Sequence, residues 1–155
     1  MLPRLPFAVD TRSVTSFDGT RIAYHVTKTP FAGAPVVLLA NGLGGPPSSW
    51  RAQIDYLSDR YRLLTWDYRG LYGSGKPPVN EAASYAIPNH VRDLELICQT
   101  EGITEAALCG WSMGVQVSLE AASATVQAAM AAASEKLAKA KLEEEVKFLA
   151  ENGKK

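Results

Sequence analysis

The stretch ALCGWSMGVQV, residues 107 to 117, sets a serine between two glycines in the order Gly110-Trp111-Ser112-Met113-Gly114. The apolar run before it and the pattern after it predict a buried strand, a tight turn and a helix start. A serine lifted out of a strained strand-to-helix corner exposes its hydroxyl, and the chemistry open to it is nucleophilic attack on a carbonyl carbon. Such attack needs a base for the hydroxyl proton and hydrogen-bond donors for the oxyanion. Only 43 residues follow Ser112, and none of them is histidine or aspartate. The chain's two histidines, His25 and His90, both precede it.

Positioning that serine requires a sheet. Residues 12–27, RSVTSFDGTRIAYHVT, predict two short strands joined at Asp18-Gly19, with Ile22, Tyr24 and Val26 on one face and His25 on the other. APVVLLA is a continuous apolar run, expected of a strand covered on both faces in a parallel sheet. A glycine-rich loop, NGLGGPPSS, follows it. A helix is expected from near Ser49, with Trp50, Ile54 and Leu57 on one stripe. YRLLTWD is the next strand and YRGLYGSGKPP its loop. Asn89 is placed to cap a helix running to about Glu101, with Val91, Leu94 and Cys98 inward and Gly102 as its stop. EAALCG is the last strand. The order hairpin, strand, helix, strand, helix, strand is that of an α/β fold, with about five strands, mostly parallel.

Three motifs in this order resemble the α/β-hydrolase superfamily, in its cofactor-free esterase and lipase-like branch. NGLGG stands where that family has its HGxGG oxyanion loop, DYRGLYGSGKP resembles its D-x-R-G-x-G-x-S segment, and GWSMG matches its nucleophile elbow. The resemblance covers roughly residues 12–122. It implies Ser112 as nucleophile, with the backbone N–H groups of Met113 and Leu43 as oxyanion donors. Asn41 replaces the usual histidine of the first loop and can still brace it. Asp67 falls at the family's structural aspartate and is expected to organise the turn after it.

The family pattern also implies further strands carrying an acidic residue and then a histidine. Nothing of that kind follows Ser112 here, so efficient hydrolysis is not expected. His90, at the start of a helix near the expected loop cluster, is a poor base, because a helix N-terminus disfavours imidazolium. It reads as a solvated helix-start residue. His25 lies on a hairpin strand far from the elbow in the family's sheet order.

All nine prolines and all eight arginines precede residue 93, whereas six of eight lysines lie at or beyond 136. Residues 123–155 form an Ala/Lys/Glu-rich helical segment, distinct from a partial hydrolase domain over 1–122. This break in composition reads as a graft, a hydrolase cut at half its length and closed by a designed or foreign helix. From Val115 the apolar positions 115, 119, 122, 126, 129, 130, 133, 137 and 140 make one helical stripe. A second stripe runs through Ala138, Leu142, Val146 and Leu149. The tail therefore either breaks near Ala133-Ser134 or makes one long helix with two partners. The open sheet edge and the tail together suggest a homodimer, and the function expected is that of a catalytically incomplete, self-associating scaffold. A weak ester hydrolase acting through Ser112 is the alternative.

Lysine plus arginine equals aspartate plus glutamate at 16 each, which gives no global charge for nucleic acid or an anionic membrane. The longest clean aliphatic run, Val36 to Ala40, is far short of a bilayer span. The glycine loops lack the partners of a phosphate cradle, and no nucleotide or other cofactor is expected. Cys98 and Cys109 are too few for a zinc site and read as small core hydrophobes in a reducing, cytoplasmic setting, with no metal.

Overall fold

The computed structural model describes residues 8–124 together with Glu135 and Lys139. The two tail stripes, the break near Ala133-Ser134 and the long-helix alternative lie almost wholly outside those residues. The described residues up to Glu120 form one compact unit.

Five strands build one sheet: β1 (Asp10–Thr15), β2 (Arg21–Val26), β3 (Val36–Ala40), β4 (Arg62–Trp66) and β5 (Ala107–Gly110). Their spatial order is β1-β2-β4-β3-β5. β1 and β2 form the expected hairpin, with Gly19 at φ 85° and Asp18 Oδ1 accepting from the Thr20 N–H at 3.0 Å. β2 joins β4 antiparallel, and β3 runs parallel to β4 and to β5. The sheet is therefore mixed, with the hairpin at one edge and β5 at the other.

Alternation divides the strand residues between two faces. Leu39 and Leu63 pack with Trp50 and Ile54, against which Val37, Leu57 and Tyr61 also rest. Trp50 closes a 3-10 turn (Pro47–Trp50) that leads into α1 (Arg51–Leu57). Leu38 and Leu64, of opposite parity, are buried as well, so the central strands are covered on both faces. Burial of each such side chain contributes about 1.5–3 kcal/mol.

Helix α2 (Ile87–Thr100) buries Val91, Leu94 and Ile97. It starts earlier than the asparagine signal implied. Pro88 sits in its first turn, where a missing N–H costs nothing, and Ala86 is the N-cap without a side-chain bond. Asn89 lies inside the helix and donates instead to the Ala83 carbonyl at 3.1 Å. The C-terminus ends as expected: Gly102 has φ 64°, its N–H reaches the Gln99 carbonyl, and the Ile103 N–H reaches that of Cys98 at 2.8 Å.

The third helix, α3, is helical over 113–124. Its buried residues are Gly114 and Val117, whereas Val115 and Leu119 are exposed. Val115 and Leu119, the first two positions of the apolar stripe, therefore do not face the sheet, because the close approach of Gly114 turns the 114/117 side inward. The cysteines also depart from expectation. Cys109 is exposed, since β5 is the outermost strand and its residues alternate between exposed and half-buried, and Cys98, on α2, is half-buried. No helix among the described residues is long and apolar enough to cross a membrane.

Candidate functional site

β5 ends at Gly110 and α3 begins at 113, so the chain turns through Trp111 and Ser112 alone. Ser112 is exposed, with φ 54°, and only one other non-glycine residue among those described, Tyr72, has a positive φ. The turn is held by the Trp111 N–H on the Ala40 carbonyl at 3.1 Å and by the Val115 N–H on the Ser112 carbonyl at 3.0 Å. A side chain at 110 would collide with the Gly114 carbonyl, and one at 114 with the carbonyls of Ala40 and Asn41. Both glycines are thus required by backbone contact, which explains the G-x-S-x-G spacing physically.

The loop after β3 lies against this corner. A Cβ at Gly42 would stand 3.3 Å from Ser112 Cβ and 3.1 Å from the Trp111 ring. The Gly45 N–H bonds the Gly42 carbonyl at 2.9 Å, and Gly44 has φ 69°, as the third residue of a type II turn requires. Neither the Leu43 N–H nor the Met113 N–H has an acceptor among the described residues. Leu43 and Met113 border one cavity of about 330 Å³, together with Tyr68, Leu71, Tyr85 and His90.

Asn41 braces the loop with every polar group it has on its side chain. Its Nδ2 donates to the Trp66 carbonyl at 2.9 Å, and its Oδ1 accepts from Trp50 Nε1 at 2.5 Å. Asp67 organises the next loop: Oδ2 accepts from the Gly73 N–H at 2.9 Å and the Asp67 carbonyl from the Ser74 hydroxyl at 2.7 Å. Arg69, fully buried, makes two bonds to Asp93 (2.9 and 2.8 Å) and one to Asp18 at 2.9 Å. This buried ion pair ties the loop after β4 to α2.

His90 is buried, not solvated. Its Nε2 donates to the Tyr85 carbonyl at 3.1 Å, which fixes the tautomer, and its ring meets Tyr68 edge-on at 4.7 Å between centroids. Nδ1 is buried without a partner. Burial is the main cause holding its pKa below the ordinary 6.5; nearby Arg69 acts in the same direction and Asp93 against it. His25 is also buried, with Nδ1 3.0 Å from the Thr11 hydroxyl and Nε2 3.4 Å from Asp67 Oδ1. Ser112, Leu43 and Met113 thus meet at one corner. His90 reaches the same cavity, with its Nε2 held by the Tyr85 carbonyl, and His25 lies beside Asp67.

Sequence reasoning passed over Tyr68 and Tyr72. Tyr68 donates its hydroxyl to the Asn41 carbonyl at 2.7 Å, and Tyr72 donates to the Gly44 carbonyl. The signal was present in DYRGLYGSG, where two aromatic residues interrupt a run of turn formers.

A family model described as alpha/beta hydrolase fold matches residues 35–151. The "Putative carbamate hydrolase RutD" of Klebsiella pneumoniae (strain 342) is 35% identical over 98 residues, which cover 63% of this chain and 36% of that protein. The protein of the same name from Escherichia coli O9:H4 (strain HS) is 34% identical over 93 residues, 60% of this chain and 34% of that one. Epoxide Hydrolase A from Mycobacterium thermoresistibile superposes with a TM-score of 0.65 at 32% identity, over 74% of this chain and 35% of its own. An alpha/beta hydrolase from Novosphingobium aromaticivorans DSM 12444 superposes with a TM-score of 0.69 at 25% identity, over 76% and 41%. The chain spans little more than a third of the length of the curated relatives it matches.

Proposed function

Because the chain belongs to the α/β-hydrolase fold family, we propose that it carries the nucleophile and oxyanion half of an acyl-transfer site. The observation that carries this reading is Ser112 at φ 54° on an exposed corner, in contact with the Gly42 loop. In the proposed step the Ser112 Oγ attacks a carbonyl carbon while its proton passes to solvent hydroxide, and the Leu43 and Met113 N–H groups hold the negative oxygen. The tetrahedral adduct then expels its leaving group, and water cleaves the acyl-serine. A serine favours esters or carbamates over epoxides. Ring opening by serine would leave an ether that water does not cleave, whereas an acyl-serine is hydrolysable. RutD is named for carbamate hydrolysis, which agrees with a carbonyl substrate. The cavity beside Leu43 and Met113 accepts a small neutral group, since the Arg69 charge behind it is matched by Asp93.

Among the described residues the half-site has no histidine placed on Ser112 as a base. His25 and His90 are both buried, each with one ring nitrogen hydrogen-bonded away from Ser112, and no histidine follows Ser112. In subtilisin, loss of the catalytic histidine alone lowers kcat by about 2 × 10⁶, leaving about 10³–10⁴ over water. Turnover by this chain belongs in that residual class. Its family match runs through residue 151, which favours native descent of the Ala/Lys/Glu-rich segment over the graft that its composition suggests. The test is hydrolysis of p-nitrophenyl acetate beside a Ser112→Ala control. Slow release lost in the variant supports the reading, and release unchanged by the variant refutes it.

A second reading, a self-associating scaffold, is favoured by the position of β5. It is the edge strand, has neither lysine nor proline to block pairing, and leads to Trp111, Val115 and Leu119, all exposed and four residues apart. A two-fold dimer through this edge predicts a light-scattering mass of two chains, and a mass of one chain at high concentration removes it.

A further inference from the structure

Two tyrosines from the loop after β4 reach across to the loop after β3 and take hold of it at both ends. Tyr68 donates to the Asn41 carbonyl, and Tyr72 to that of Gly44. Between these two points the Gly42 carbonyl accepts from the Gly45 N–H at 2.9 Å. Three of the four carbonyls from Asn41 to Gly44 are therefore engaged. In a trans peptide the N–H points opposite to the C=O. With the Gly42 carbonyl turned into the Gly42–Gly45 bond, the Leu43 N–H of the same peptide points out of the turn.

The two anchors differ in cost. Tyr68 is buried and its ring is fixed edge-on by Trp66 at 5.8 Å and by His90 at 4.7 Å. Burial pushes its phenol pKa upward, so it remains a donor. Tyr72 is half exposed and holds φ 46° at the second position of the turn closed by the Ser74 N–H on the Leu71 carbonyl at 2.9 Å. Glycine or asparagine is the usual occupant of such a place, and an aromatic residue there is strained. Apart from Ser112, no other described non-glycine residue bears this conformation. Strain kept at a site and matched by one specific bond points to function.

We propose that Tyr68 and Tyr72 are positioning residues that clamp residues 41–44 and keep the Leu43 N–H aimed as an oxyanion donor. This rests on the acyl-transfer reading of Ser112. Neither tyrosine donates to the oxyanion itself, because each hydroxyl proton is already given to a loop carbonyl. Tyr72 also lies in the left-handed region to reach Gly44, so Tyr72→Gly relieves strain while removing the clamp. A merely structural tyrosine does not separate those two effects.

The test uses the whole chain labelled with ¹⁵N, comparing wild type, Tyr68→Phe, Tyr72→Phe and Tyr72→Gly. Amide exchange at Gly45, whose N–H closes the turn, is expected to rise about tenfold in both tyrosine-to-phenylalanine variants, with Leu38 and Leu39 amides unchanged. If Tyr68→Phe fails to fold, the exposed Tyr72 variants carry the test alone. Gly45 exchange equal to wild type in the folded variants overturns the clamp. In parallel, n-butylboronic acid is titrated and its tetrahedral adduct followed by ¹¹B NMR. Adduct affinity is expected to fall about tenfold in Tyr72→Phe and Tyr72→Gly, with Tyr72→Gly melting no lower than wild type. An affinity equal to wild type overturns the positioning role even if exchange has risen. A wild-type adduct that is absent, or survives Ser112→Ala, refutes the acyl-transfer reading instead, and the exchange data still decide whether the clamp exists.

Discussion

Gly114 stands so close to Ala40 that the Ala40 carbonyl occupies the space a side chain at 114 would need. This contact seats the first turn of α3 on the end of β3 and brings Ser112 beside Gly42. Gly114→Ala should therefore destabilise the unit by more than about 3 kcal/mol, or prevent its accumulation, because backbone and not a movable side chain is in the way. Urea unfolding compared with Gly44→Ala separates clash from turn strain. Gly44 has open space around it and a φ of 69°, so its variant should lose only about 1–2 kcal/mol.

The buried Arg69–Asp93 pair predicts a different pattern. Asp93→Ala leaves a fully buried guanidinium with only Asp18 and two oxygen acceptors nearby, and should cost about 3–5 kcal/mol. The double variant Arg69→Met/Asp93→Leu should cost less than Asp93→Ala alone. Chemical denaturation of all three proteins checks this. A double variant less stable than Asp93→Ala would mean that the pair contributes net stability beyond mutual neutralisation.

His90 sets an acid limit on stability. Its folded pKa is depressed, chiefly by burial, so between that value and the ordinary 6.5 the unfolded chain binds the extra proton. Stability is then complete above about pH 6.5 and falls as the pH drops through the window below it, by at most about 1.4 kcal/mol per unit for one proton. Glu101, whose carboxyl is held below the usual range by Tyr24, Arg12 and Arg62 despite its burial, adds its loss only below about 4.5. Urea midpoints from pH 7.5 to 5 should fall less steeply in His90→Gln than in wild type. Equal slopes would show that His90 is not the group responsible.

Much of this architecture is legible in the sequence. The apolar runs at Val36 and Leu63 and the glycines at 19 and 102 act locally, so strand, turn and cap residues declared themselves. What stayed hidden depended on residues far apart in sequence. His90 is buried because Tyr68 and Tyr85 close over it, and the Arg69–Asp93 pair looks like two surface charges until α2 meets the loop after β4. Asn89 misled because Pro88 offered a competing start for the same helix. Cys109 and Val115 carry apolar patterns but sit at an open edge, where pattern alone does not tell which side is covered. At the site itself, the roles of Ser112, Leu43 and Met113 follow from the resemblance of the three motifs to the family, whereas the tyrosine hydroxyls on the 41–44 loop needed three dimensions.

Ser112, as proposed, is a pre-formed nucleophile without a base among the described residues. The direct measurement is the rate of fluorophosphonate labelling between pH 6 and 10, for wild type, Ser112→Ala and His90→Gln. Slow labelling confined to Ser112 is expected, rising about tenfold per pH unit because hydroxide must take the proton, with no plateau near neutrality and no effect of His90→Gln. Rapid labelling at neutral pH that levels off near pH 7 and collapses in His90→Gln would contradict it and establish His90 as the base.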